Sequence, residues 1–74
     1  MTRYFFDLVK ERVTAHDYQG KVFQLPEQAH RQGELIAIDL QFASEGWAGG
    51  QVSVRDAHGR ELYAIPVPGE DATA

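Results

Sequence analysis

Seventy-four residues suffice for one domain, and a chain this short buries only roughly 60–65% of the surface its unfolded form exposes. It contains no cysteine, which excludes disulfides, thiolate metal sites and cysteine nucleophiles together. A net charge of −4 disfavours nucleic acid and anionic membranes as partners, while 43% hydrophobic and 11% aromatic content is the composition of a folded domain.

Residues 3–9, Arg-Tyr-Phe-Phe-Asp-Leu-Val, predict a strand, because aromatic and β-branched residues dominate and Tyr4, Phe6 and Leu8 alternate onto one face. Phe5 and Val9 fall on the other face, so neither side is cleanly polar and the strand belongs inside a sheet. Lys10-Glu11 is the expected turn, and residues 12–16 follow as a weaker strand with the polar character of a sheet edge. Asp17-Tyr18-Gln19-Gly20 has Asp and Gly at the first and fourth positions of a turn. Residues 21–25, carrying Val22, Phe23 and Leu25, are expected to form a short extended link.

A helix is predicted over about 26–44. Pro26 suits a first helical position, since its φ is already helical and its missing N–H has no partner to lose there. Leu25, Ala29, Gly33, Ile36, Leu40 and Ala43 line the stripe expected to face the core, and Gly46 is a natural stop. Gly33 on that stripe implies close approach of the helix to an aromatic side chain of the sheet.

Residues 47–50, Trp-Ala-Gly-Gly, read as a link. In residues 51–56 Val52 and Val54 alternate inward, and Asp56-Ala57-His58-Gly59 is a turn signal with Gly59 left-handed. Residues 60–67 return as the last strand, expected to set Val54 against Leu62 and Val52 against Ala64. Tyr63, Ile65 and Val67 then point away from the helix, and Pro66 places the strand at an edge. Residues 68–74 lack an apolar pattern and read as a flexible tail after a single domain of residues 1–67. The predicted fold is α+β: ββαββ, a four-stranded, mostly antiparallel sheet with strand order 2-1-3-4 and one helix packed on one face.

Several of these residues carry a resemblance. Arg3-Tyr4-Phe5-Phe6, Asp17-x-x-Gly20, the Ala29-bearing helix, Trp47, Val54-x-Asp56-x-x-Gly59-Arg60-x-Leu62 and Ile65-Pro66 occur in an order that resembles a family of short alphaproteobacterial proteins classed as a domain of unknown function. The resemblance covers about residues 1–67 and implies a fold, with no catalytic or binding residues to carry over. Lys10-Glu11 stands where the family has an Asp-Gly-like turn, and the link after Trp47 is longer.

No pattern of catalytic or metal-binding residues is legible. His16, His30 and His58 lack the spacing that gathers metal ligands, and Ser44 and Ser53 lie in no nucleophile motif. Gly46, Gly49 and Gly50 precede a strand, whereas a phosphate loop leads into a helix. Asp17 and Asp56 already serve turns, which leaves Asp7 without a carboxylate to pair with. Neither a cofactor nor a metal is expected. Asp7 and Lys10 interrupt the first apolar run, and no stretch nears the ~20 apolar residues of a membrane span, so a cytoplasmic chain is expected.

Two apolar patches remain. Leu35, Ile38 and Phe42 share the helix face away from the core stripe, and Phe5, Tyr63, Ile65 and Val67 are expected on the sheet face away from the helix. One helix covers one side of a sheet, so the expected function is a non-enzymatic interaction module, a homodimer built on either patch or a contact surface for another protein. Two alternatives stand beside it. Phe5 and Tyr63 could stack single-stranded nucleic acid with Arg3, Arg12, Arg55 and Arg60 on its phosphates, or an enzyme site could assemble only in space.

Overall fold

The computed structural model describes residues 1–43 and 46–69. Its elements are β1 (Thr2–Lys10), β2 (Val13–Ala15), β3 (Lys21–Phe23), α1 (Pro26–Gln41), β4 (Gln51–Arg55) and β5 (Glu61–Pro66). The strands form one antiparallel sheet in the order β2-β1-β4-β5, with β3 also paired to β1, and α1 lies on one face. The α+β class and the order expected for four strands hold, and a fifth strand joins them.

That extra strand follows from the length of β1. β2 pairs only with Leu8–Lys10 of the nine-residue β1, so the front half of the same edge is open for β3 to pair with Thr2–Tyr4. Between the two short strands the chain swings out, and Asp17 Oδ2 accepts the N–H of Phe6 at 3.1 Å in place of a strand carbonyl. The expected link over 21–25 is therefore a strand as far as Phe23. Lys10 faces Val13, which makes Glu11-Arg12 the two-residue turn, one position later than expected. Glu11 takes φ 55°, a left-handed conformation that glycine adopts at lower cost.

α1 begins as expected at Pro26. Leu25 offers no side-chain acceptor, and instead Gln28 Oε1 accepts the N–H groups of Gln24 and Leu25 at 3.0 and 2.9 Å. The helix ends at Gln41 rather than at 44. Phe42 and Ala43 bond three residues back, to the carbonyls of Asp39 and Leu40, which tightens and closes the last turn. Ser44, the expected last residue, lies outside the described residues, as do residues 70–74 of the expected tail.

The last hairpin departs from its expected register. Near the turn the expectation holds: Asp56 N–H donates to the Arg60 carbonyl, Gly59 is left-handed at φ 85°, and Arg55 faces Glu61. One step further the register shifts, so that Val54 faces Tyr63 and Val52 faces Ile65. Leu62 is the bulged residue. A one-residue slip turns every later side chain to the other face, so Tyr63, Ile65 and Val67 lie under the helix, and not on the rear of the sheet where they were expected. The slip gives the core two β-branched residues and an aromatic in exchange for Leu62, Ala64 and Pro66. The N–H and C=O of Val67 both bond toward Gly50 and Gly49, so Pro66 before it turns its backbone to the free edge.

Between sheet and helix, Tyr4, Phe6, Val52, Val54, Ile65 and Val67 pack with Ala29 and Ala37, flanked by Leu8, Phe23, Ile36, Leu40 and Tyr63. Gly33 makes the close approach expected of it, onto aliphatic side chains rather than an aromatic one. A Cβ there would sit 2.5 Å from Ile65 Cδ1 and 3.1 Å from Val54 Cγ2. Leu25, placed on the inner stripe by its spacing, is exposed because it precedes the helix in extended conformation.

Candidate interaction surface

α1 buries Ala29, Gly33 and Ala37 against the sheet. Half a turn round the helix, the same period that made this inner stripe brings Leu35, Ile38 and Phe42 into one outward line, at 53%, 49% and 81% exposure. Arg31 continues that line one turn toward the N-terminus. Beside it, between α1 and β5, runs an open groove of about 560 Å³ lined by Arg31, Glu34, Leu35, Ile38, Ile65 and Pro66 among others. The sequence signal for Arg31 is its place four residues before Leu35, whereas the groove has none, because it forms where α1 meets β5.

The second expected patch does not assemble. Ile65 and Val67 are buried in the core, and Tyr63 is half-buried with its ring edge-on to His30, centroids 4.6 Å apart. Phe5 stays on the rear face, half-buried, with the Arg55 guanidinium 5.6 Å from its ring centre. Phe5 and Tyr63 are thus on opposite sides of the sheet and share no stacking platform. Leu62, Ala64 and Pro66 are the exposed apolar residues of β5. Trp47 lies by Lys10, Glu11 and Val13, where Lys10 Nζ donates to the Gly46 carbonyl, and it covers neither patch.

The rear of the sheet carries instead a buried polar knot around Asp7. Its Oδ2 accepts from Arg55 Nε at 2.7 Å and from His16 Nδ1 at 3.1 Å. Its Oδ1 accepts the N–H of Asp17 at 2.9 Å and a longer contact from Arg55 Nη2 at 3.4 Å. Burial pushes the Asp7 carboxyl up, but the bonds from Arg55, Asp17 and His16 outweigh it and hold the group below the ordinary carboxylate range. Asp17 follows the same pattern: burial raises it, and the N–H groups of Gly20, Phe6 and Gln19 bring it lower. The N–H groups of Arg60 and His58 lower Asp56, and the bond to Asp7 raises Arg55. All four groups are driven further into their charged forms, away from the near-neutral pKa that proton transfer requires.

His16, half exposed, has the Asp7 carboxylate as a partner, while His30 meets Tyr63 edge-on and sits 3.7 Å from Glu34. Among the described residues no group of three or more His, Cys, Asp or Glu could hold a metal ion, and no helix is long and apolar enough to cross a membrane. Ser53 is buried opposite Asp7 in the β1–β4 ladder. A family model described as a domain of unknown function, DUF6894, matches residues 3–68. No curated protein and no solved structure matches the chain.

Proposed function

The chain belongs to the DUF6894 family, a domain of unknown function, and we propose from its surfaces that it is a non-enzymatic module that associates with a second copy through the outer face of α1. The observation that carries this reading is the exposed line of Leu35, Ile38 and Phe42 directly opposite the sheet contact. Three large apolar side chains in one row form a patch, whereas single exposed ones are ordinary. Of the two surfaces expected from sequence, this is the one whose residues stand together.

The argument for a second copy as the occupant comes from the smallness of the core. Its largest side chains without exposure are two valines, and the chain has no disulfide. Domains of about 70–80 residues commonly draw extra stability from partners. A twofold pair would bury the row on each subunit at once. The absence of an enzymatic role is part of the same proposal. It is supported by the saturation of Asp7, Asp17 and Asp56, each committed to fixed local bonds.

Sedimentation equilibrium of the full chain from micromolar to millimolar concentration tests the reading. Concentration-dependent dimers that vanish in Ile38→Glu and persist in Leu62→Glu support it. A monomer throughout the range refutes it.

A further inference from the structure

The row on α1 holds Arg31, Leu35, Ile38 and Phe42, separated by four, three and four residues, a spacing that is the same from either end. We infer that two copies pair with their α1 helices antiparallel, about a twofold axis between the levels of Ile36 and Ala37. This rests on the self-association proposed above and adds its orientation and register. At that register Leu35 lies against the partner's Ile38, and the guanidinium of Arg31 lies over the ring of the partner's Phe42. Both contacts occur twice by symmetry. A seven-residue repeat, Arg31 to Ile38 and Leu35 to Phe42, is the spacing that keeps two helices in contact at a shallow crossing angle.

Charges on the flanks fit the same arrangement. At about 100° per residue, Glu34 and Gln41 share one flank of the row, and Gln32 and Asp39 share the other. A twofold axis perpendicular to antiparallel helices sets each flank beside its own copy. Glu34 then approaches the partner's Gln41, and Asp39 approaches the partner's Gln32. Each carboxylate meets an amide, and the two equivalent carboxylates of a flank stay about 7.5 Å apart along the axis at 1.5 Å per residue. Antiparallel helices also place opposite dipole ends side by side. Parallel pairing would set Arg31 beside the partner's Arg31 and lose the contact with Phe42.

The absence of native cysteine makes the geometry directly testable. Arg31→Cys and Phe42→Cys variants are prepared separately, checked for native circular dichroism, mixed and oxidised, with Leu35 and Ile38 left to bring the copies together. A mixed disulfide between the two variants is expected in high yield, identified by mass. Phe42→Cys alone should not cross-link, because its two sulfurs would lie about 16 Å apart along the axis, far beyond disulfide reach. Arg31→Gln should weaken association about fivefold to thirtyfold, the effect of losing the exposed cation–π contact at both of its symmetric places in the dimer. Efficient cross-linking of Phe42→Cys with itself means parallel helices and overturns the inference. A dimer by sedimentation without the mixed disulfide overturns the register but leaves self-association standing, and a monomeric wild-type chain removes both.

Discussion

Asp7→Asn exchanges one carboxylate oxygen for an amide nitrogen with almost no change in shape, so it isolates the charge at the rear of the sheet. In the wild type both oxygens are occupied, by Arg55, His16 and the N–H of Asp17. An amide nitrogen there confronts donors with a donor and leaves the guanidinium without its counter-charge. Removing one member of a buried pair costs about 3–5 kcal/mol. The Arg55 side chain keeps 27% exposure against 4% for Asp7, so water relieves part of the loss, and about 2–3 kcal/mol is expected. Since a domain of this length holds about 4–11 kcal/mol in all, and each kcal/mol moves Tm by about 4–8 °C, melting should fall by roughly 10–20 °C. Urea unfolding followed by circular dichroism gives the difference directly. Its dependence on pH is a second signature. The folded pKa of Asp7 lies below its unfolded value, so its stabilising contribution is present above about pH 4 and is lost as pH falls through the folded value. The two proteins should therefore converge in stability on acidification. Equal midpoints at neutral pH, or a gap unchanged in acid, would refute the assignment of this carboxylate as an ionised structural anchor.

Glu11→Gly should raise stability by about 1 kcal/mol in the same assay, because it relieves a left-handed conformation that a side chain disfavours at the first position of a two-residue hairpin turn. Ile65→Ala should cost about 2–5 kcal/mol, the loss expected of a core residue packed on Gly33, whereas Leu62→Ala should stay within about 1 kcal/mol. Equal effects at the two positions would mean that the hairpin keeps the register without the bulge.

What could be read in advance was local and periodic. Alternation in Tyr4-Phe6-Leu8 and in Val52-Val54, the helical placement of Pro26 and the left-handed Gly59 are decided by neighbours in the chain, and each held. The outer row of α1 was legible for the same reason, since a helix of known start fixes which residues face outward. The sides of β5 were not. Its turn has the expected form, and the slip after Arg55 is settled by which side chains fill the space under the helix, a property of the assembled core. β3 has three residues, too few for a period to show, and it exists because β1 outruns β2. The knot around Asp7 joins it to Arg55, 48 positions away, with only a charged residue in an apolar strand to signal it.

Pro66 on the outer border of β5 has a consequence for assembly. A foreign strand arriving there would meet the proline ring where it needs an N–H donor, and on the opposite border it would meet β2 and β3, each three residues long with a loop between them. Both borders are thereby blunted against edge-to-edge strand addition. Contact through side chains is favoured over strand pairing, and with it small, countable complexes over open-ended ones.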